Sequence, residues 1–328
     1  MPRRGAVRAT LAAVALAVGV LAACSDADDG ADRSSTTRPT SSTEGPTETT
    51  QPASAALVDA ACARELKVSR GPEVADAEVL EASGVVVGRR QPGVSWVQND
   101  SGGLPRLYGI HDDGSVQRVD VAGAEAFDWE DLAPAVGGDH AGLWIADTGD
   151  NATSRASVQL YRVDEPGPTD TSVAARRIEV RYPDGAHDVE AVLADPDGPV
   201  LLLTKSTEAT SSIYAVDPVR GLADGEATAT RLGSFEAPGK LALITGGDVA
   251  ADRRAVVLRT YSGVWLYRLG DGQPVAEALA AEPCKGRTSP EVQGEAVGFA
   301  PDGRSYVTIG ESGPTKQPSR VTTVSAEG

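Results

Sequence analysis

Between residues 81 and 311 one order of segments recurs five times, and this recurrence limits the possible folds more than any single motif does. A small or acidic cluster opens an apolar run at Glu81-Ala82-Ser83-Gly84, Asp128-Trp129-Glu130-Asp131, Asp188-Val189-Glu190-Ala191, Gly246-Gly247-Asp248-Val249 and Gly294-Glu295-Ala296-Val297. With Glu81, Glu130, Glu190, Asp248 and Glu295 as landmarks the spacings are 49, 60, 58 and 47 residues, the length of a four-stranded sheet with its turns. A second apolar run follows each landmark and ends in polar residues: Trp96 to Asp100, Trp144 to Asp147, Leu202 to Lys205, Val257 to Thr260 and Thr308 to Glu311. A third run carries Tyr108, Tyr161, Tyr214 or Tyr267. From residue 64 onward no stretch sustains a helical period for three turns. Asp-Gly pairs at Asp113, Asp184, Asp197, Asp224, Asp271 and Asp302 separate the runs, supplying the positive φ of tight hairpin turns. The domain is therefore expected to be all-β.

Four-stranded units repeated at this length bury their faces by packing around an axis, which predicts a β-propeller of five blades. Six blades follow instead if the longer intervals merge two, and a pair of sandwiches or a β-solenoid are the competing arrangements. The last repeat is one strand short, while Glu65-Leu66-Lys67-Val68 stands unpaired before the first landmark. An N-terminal strand is thus expected to complete the last blade and close the ring. Aromatic residues at 4%, with 36 Gly and 21 Pro, suit short strands and many turns.

In a propeller the first strand of each blade lines the channel, and its start meets the finish of the antiparallel second strand. One face is expected to gather Glu81, Glu130, Glu190, Asp248 and Glu295, with Asp131 and Asp150 close by. Asn99, Asp100, Asp147, Lys205, Arg259 and Glu311 should stand beside them as ligand-binding residues. Carboxylates forced together repel unless a cation joins them, and a flexible ring of oxygen donors suits Ca²⁺. The inner five are the candidate metal ligands, with Glu130, Glu190 or Glu295 as candidate general base in any reaction. The alternative is structural: the acids pair with Lys205 and Arg259, or cap backbone amides, and hold the blades in register. His187 reads as a turn residue bonded to a neighbouring acid, and His111 and His140 as surface residues. No His-Glu-x-x-His, Gly-x-Ser-x-Gly or Gly-Lys-Ser/Thr signature occurs, so zincin, serine-hydrolase and nucleotide chemistry lack their markers.

At the other end of the chain, Arg3, Arg4 and Arg8 precede an apolar run from Ala9 to Ala23 that is short for a membrane span. Residues 1–23 are expected to be an export signal. The run ends Leu21-Ala22-Ala23-Cys24, which resembles the lipobox of bacterial lipoproteins, where the cysteine is lipidated and becomes the new N-terminus. That resemblance implies a protein anchored through Cys24 to the extracytoplasmic face of the cell membrane. Residues 31–56 hold 15 Ser, Thr or Pro, which predicts a disordered stalk over 24–57 and a globular domain over 58–328. Cys62 and Cys284 are the two cysteines left in that domain, and export favours a disulfide between them over two buried thiols. The formal charge is −17, and removing residues 1–23, with three Arg and no acid, takes it to −20. Nucleic acid phosphates and anionic headgroups are poor partners for such a surface.

Six motifs in one order carry a wider resemblance: Trp96-Val97-Gln98-Asn99-Asp100-Ser101-Gly102, Asp128-Trp129-Glu130-Asp131, Ala146-Asp147-Thr148-Gly149-Asp150-Asn151, Tyr182-Pro183-Asp184-Gly185, Asp188-Val189-Glu190-Ala191 and Gln293-Gly294-Glu295-Ala296. Over residues 78–312 the chain resembles a group of secreted or lipid-anchored actinobacterial propeller proteins. More distantly it is similar to the SdiA-regulated and esterase-like phytase propellers. The resemblance implies a monomeric binding or scaffold module for a small molecule or an envelope protein, with Ca²⁺ at an acidic channel mouth. Its alternative is a Ca²⁺-dependent hydrolase of a phosphoester or lactone.

Overall fold

The computed structural model describes residues 51–327 apart from 75, 136–140, 217–224 and 313–316. The export signal, Cys24, most of the stalk and His140 lie outside the described residues. The chain begins with α1 (Ala53–Ala63) and β1 (Leu66–Arg70). Blade 1 then follows as β2 (Ala82–Val87), β3 (Val94–Asn99), β4 (Arg106–His111) and β5 (Val116–Ala122). Blade 2 is β6 (Trp129–Ala135), β7 (Gly142–Asp147), β8 (Val158–Asp164) and β10 (Arg176–Arg181), while the intervening β9 (Ser172–Ala174) reaches back to extend blade 1 in parallel with β5. Blade 3 is β11 (Val189–Ala194), β12 (Val200–Thr204), β13 (Thr210–Val216) and β15 (Thr230–Glu236), and β14 (Gly225–Thr228) likewise extends blade 2 beside β10. Blade 4 is β16 (Ile244–Val249), β17 (Ala255–Thr260), β18 (Gly263–Arg268), the short α2 (Val275–Ala278) and β19 (Cys284–Lys285). Blade 5 is β20 (Gln293–Phe299), β21 (Ser305–Glu311) and β22 (Thr322–Ala326), completed by β1.

The ring thus has five blades, and β1 pairs antiparallel with β22 from Leu66–Ala326 to Arg70–Thr322. The expected closure by an N-terminal strand is the observed one. Apolar side chains fill each interface between neighbouring blades, as with Trp96, Trp129, Leu132, Ile145 and Tyr161 between blades 1 and 2. Four of the six Asp-Gly pairs turn with glycine at positive φ: Gly114, Gly185, Gly272 and Gly303. Gly198 does not, and Gly225 opens β14.

Every inner strand carries a β-bulge near its start, where two residues face one on the second strand. The extra residues are Glu130, Glu190, Thr245 and Glu295, and in blade 1 Ser83 and Gly84 together face Gln98. This register corrects two landmarks: Glu81 stands before the bulge of blade 1, and Asp248 lies deeper in β16 opposite Val257. An acid beside an apolar run is visible in sequence, but a bulge is a property of the pairing between two strands.

The stalk boundary also moves. Residues 53–57 form the first half of α1, whose Leu57 and Val58 are buried against blades 4 and 5. Ser/Thr/Pro content does not register the apolar face of Ala-rich 53–63. The helix lies at the end of the ring away from the bulges, where the Ser54 amide donates to Asp252 Oδ2 at 3.1 Å in the β16–β17 turn. Cys62 on α1 is disulfide-bonded to Cys284 on β19, with Cα atoms 4.9 Å apart. No described helix is long and apolar enough to cross a membrane.

Candidate metal centre

Two bulged glutamates, Glu130 and Glu190, meet at the mouth of the channel. In both blades an aspartate stands two residues earlier, Asp128 and Asp188, and blade 1 contributes Asp100 from the end of β3. Carboxylate oxygens of Asp100, Asp128 and Glu130 lie within 4.8 Å of one another, and those of Glu130, Asp188 and Glu190 do the same. Glu130 belongs to both groups. Its side chain is aimed among these acids and the residue is only 3% exposed. Among the described residues no N–H or O–H donates to its carboxylate. Asp100 Oδ1 is likewise buried without a hydrogen-bond partner. The backbone of Gly149 passes so close that a Cβ there would collide with Glu130 Oε1 and the Asp128 carboxylate.

The Asp147–Asn151 segment fixes these carboxylates in place. Asp147, predicted to bind ligand, instead accepts the Asp128 amide at 3.1 Å and the Phe127 amide at 3.3 Å, and pairs with Arg155 at 3.0 Å. Thr148 Oγ1 donates to the Val189 carbonyl at 2.8 Å, and the Asp150 amide donates to Asp188 Oδ1 at 2.8 Å. Blades 2 and 3 are therefore locked together beneath the acids.

Lys205, at the end of β12, donates to Glu190 Oε1 at 2.8 Å and lies 5.4 Å from the centre of the Tyr261 ring. On the far side of the mouth Gln293 Nε2 donates to Glu295 Oε1 at 2.6 Å and to Glu311 Oε1 at 2.9 Å. Burial pushes Glu130 up to about 12, reinforced by Glu190. Burial also raises Glu190 to about 7, against the pull of Lys205, Glu295 to about 8, and Asp100 and Asp128 to about 6. Folded-state values above the unfolded ones contribute stability at low pH that is lost as pH rises through the folded values. The metal-free protein should therefore melt lower as pH is raised from about 5 to about 9, by roughly 5 °C or more in calorimetry. A flat or rising melting temperature would show that these acids are solvated in the folded state.

Several predicted residues stand elsewhere. Asp248 accepts the Val249 and Phe299 amides, both at 2.8 Å, and joins blades 4 and 5 inside the ring. Asp131 accepts the Leu132, Val192 and Gly247 amides at 2.8, 2.9 and 3.2 Å, tying blade 2 to blades 3 and 4. Asn99 binds the loop before β2, donating to the Glu78 carbonyl at 2.6 Å and accepting the Leu80 and Glu81 amides. Arg259 points between blades 4 and 5, where Nη2 pairs with Glu291 at 2.5 Å, beside a cavity of about 440 Å³. Glu81 is exposed at the rim, and Glu295 and Glu311 lie outside both carboxylate groups. His187 bonds to Tyr214 at 2.7 Å and Asp184 at 3.0 Å. The acids converge on blades 1 to 3 rather than around a central five-fold ring. Asp128 and Asp188 join the carboxylate groups although they stand outside the five landmarks; the recurring Asp-x-Glu is the sequence signal that marks both.

No family model matches the chain, and no curated protein matches it. Similar solved structures include the PQQ-bound form of aldose sugar dehydrogenase from Streptomyces coelicolor, with 11% identity and a TM-score of 0.47 over 79% of this chain and 98% of that one. The WD40 domain of Neurospora crassa Pan2 aligns with 8% identity and a TM-score of 0.40 over 79% and 95% of the respective chains. Likeness at this level carries no argument about the site.

Proposed function

We propose that this protein is a lipid-anchored, extracytoplasmic binding module whose propeller holds a divalent cation, Ca²⁺, at the channel mouth and presents it to a small molecule or an envelope protein. The observation that carries the reading is Glu130, a buried carboxylate with no donor, set among four other carboxylates. A buried charge without a partner is strongly disfavoured, and a cation removes the conflict. The residues fit the ion: Asp100 Oδ1 is a buried oxygen without a hydrogen-bond partner, and the missing side chain of Gly149 lets the Glu130 and Asp128 carboxylates draw close over its backbone. Both groups are made of carboxylates, the hard oxygen donors that suit Ca²⁺ over the softer metals bound by His and Cys.

Calcium titrated into the chelator-stripped protein should give heat with a Kd of roughly 1–100 µM and raise the melting temperature. Glu130→Gln should weaken binding about 100-fold, whereas Glu295→Gln, outside both groups, should change it little. No heat and no melting shift would overturn the reading. For the anchor, Cys24→Ala should release the protein into the medium, and retention in the membrane fraction would count against lipidation.

A hydrolase reading has one observation in its favour. Glu190 and Glu295, near 7 and 8, can each take up a proton close to neutral pH, as a general base must. A bound cation would supply Lewis acidity to a phosphoester or lactone. Calcium-dependent turnover that Glu190→Gln abolishes would favour it over the binding module.

A further inference from the structure

We propose that the channel mouth holds two divalent cations bridged by the Glu130 carboxylate, with Lys205 as the resident counter-charge that completes neutrality. The inference rests on the cation reading above and concerns how many ions the site takes.

Ligand oxygens around one Ca²⁺ lie about 2.3–2.6 Å from it, so they fall within about 5 Å of one another. Asp100, Asp128 and Glu130 meet that condition, and so do Glu130, Asp188 and Glu190, but no single group contains all five. Two centres are therefore defined, and Glu130 is their shared member. A carboxylate has two oxygens and about four lone-pair sites, enough to serve an ion on each side. Glu130 commits none of these to a protein donor, an independent sign that the shared position awaits cations.

Charge gives the same count. Five carboxylates carry five negative charges, of which Glu130 and Glu190 are almost fully buried. One divalent cation and Lys205 would leave two negative charges to be neutralised by protons, whereas two cations and Lys205 balance the fully ionised site.

The two positions are not equivalent. Lys205 is hydrogen-bonded to Glu190 at 2.8 Å, within the second group, while no Lys or Arg is paired with Asp100, Asp128 or Glu130 among the described residues. An ion at the first group displaces no paired cation, since Lys205 and Arg155 act on these acids only through space, and should bind first. An ion at the second must share Glu190 with the ammonium or displace it towards Glu295 and Glu311, whose charges already act on it. The second ion should accordingly be the weaker.

Calcium stoichiometry, measured by calorimetry and by elemental analysis after equilibrium dialysis of the whole protein, tests the proposal. Two ions per chain, one tight and one weaker, are expected for the unaltered protein. Asp128→Asn and Asp188→Asn should each leave one ion, and Glu130→Gln should lose both. Lys205→Met should tighten the second ion about 10-fold and the first by much less, because its ammonium is bonded to Glu190 and acts on Asp100 and Glu130 only through space. One ion per chain would overturn the bridged pair while leaving the cation reading intact, and none would overturn both. The unaltered protein alone decides between these outcomes, so the result does not depend on any variant folding.

Discussion

Asp131→Ala is expected to destabilise the propeller by about 4 kcal/mol or more, although Asp131 belongs to neither carboxylate group at the channel mouth. Its carboxylate accepts backbone amides from blades 2, 3 and 4: Leu132, Val192 and Gly247. The residue is fully buried, so water does not replace the missing acceptor. Each amide left unsatisfied costs about 1–3 kcal/mol, and three are orphaned together. Asp131→Asn keeps the volume and one acceptor oxygen and should lose roughly half as much. Urea unfolding followed by circular dichroism measures both. A loss under about 1 kcal/mol for alanine would show that these amides find other partners.

Removing the Cys62–Cys284 bond should cost about 2–5 kcal/mol. The cysteines are 222 residues apart in sequence, so the bond closes most of the folded chain into one loop and restricts the unfolded ensemble heavily. It also pins α1 to the outer strand of blade 4, directly before β1 completes blade 5. The paired substitution Cys62→Ser with Cys284→Ser should lower the urea midpoint and leave the five blades assembled. The calcium binding proposed above should persist, because α1 packs at the end of the ring opposite the acids. An unchanged midpoint would mean that β1 alone secures the closure.

Much of the architecture was legible in the sequence because its determinants are local. Apolar runs, Asp-Gly turns and the return of one pattern at blade-length intervals specify hairpins, and hairpins of that size stack into a ring. The unpaired Leu66–Val68 segment pointed to the closing strand, and the two cysteines of the domain to each other. Glu130, Glu190 and Asp100 could be named as site residues because strand alternation and the turn back into strand two bring them to one end. Register was not legible in the same way. Asp248 and Glu81 resemble the bulged residues in composition, yet in blades 4 and 1 the bulges fall at Thr245 and at Ser83-Gly84. Arg259 sits one residue from Thr260 and two from Tyr261, and that small offset turns it away from the acids into the gap between blades.

The sequence by itself determined the all-β class, the fivefold return of one pattern and which strands form hairpins, because turn chemistry and apolar alternation act over a few residues. Only the tertiary structure decided which carboxylates meet. Asp100, Asp128, Glu130, Asp188 and Glu190 come from three blades, and the distances among them depend on the packing of one blade against the next and on a bulge in each inner strand. Those quantities are settled by contacts between segments far apart in the chain, so no local pattern encodes them.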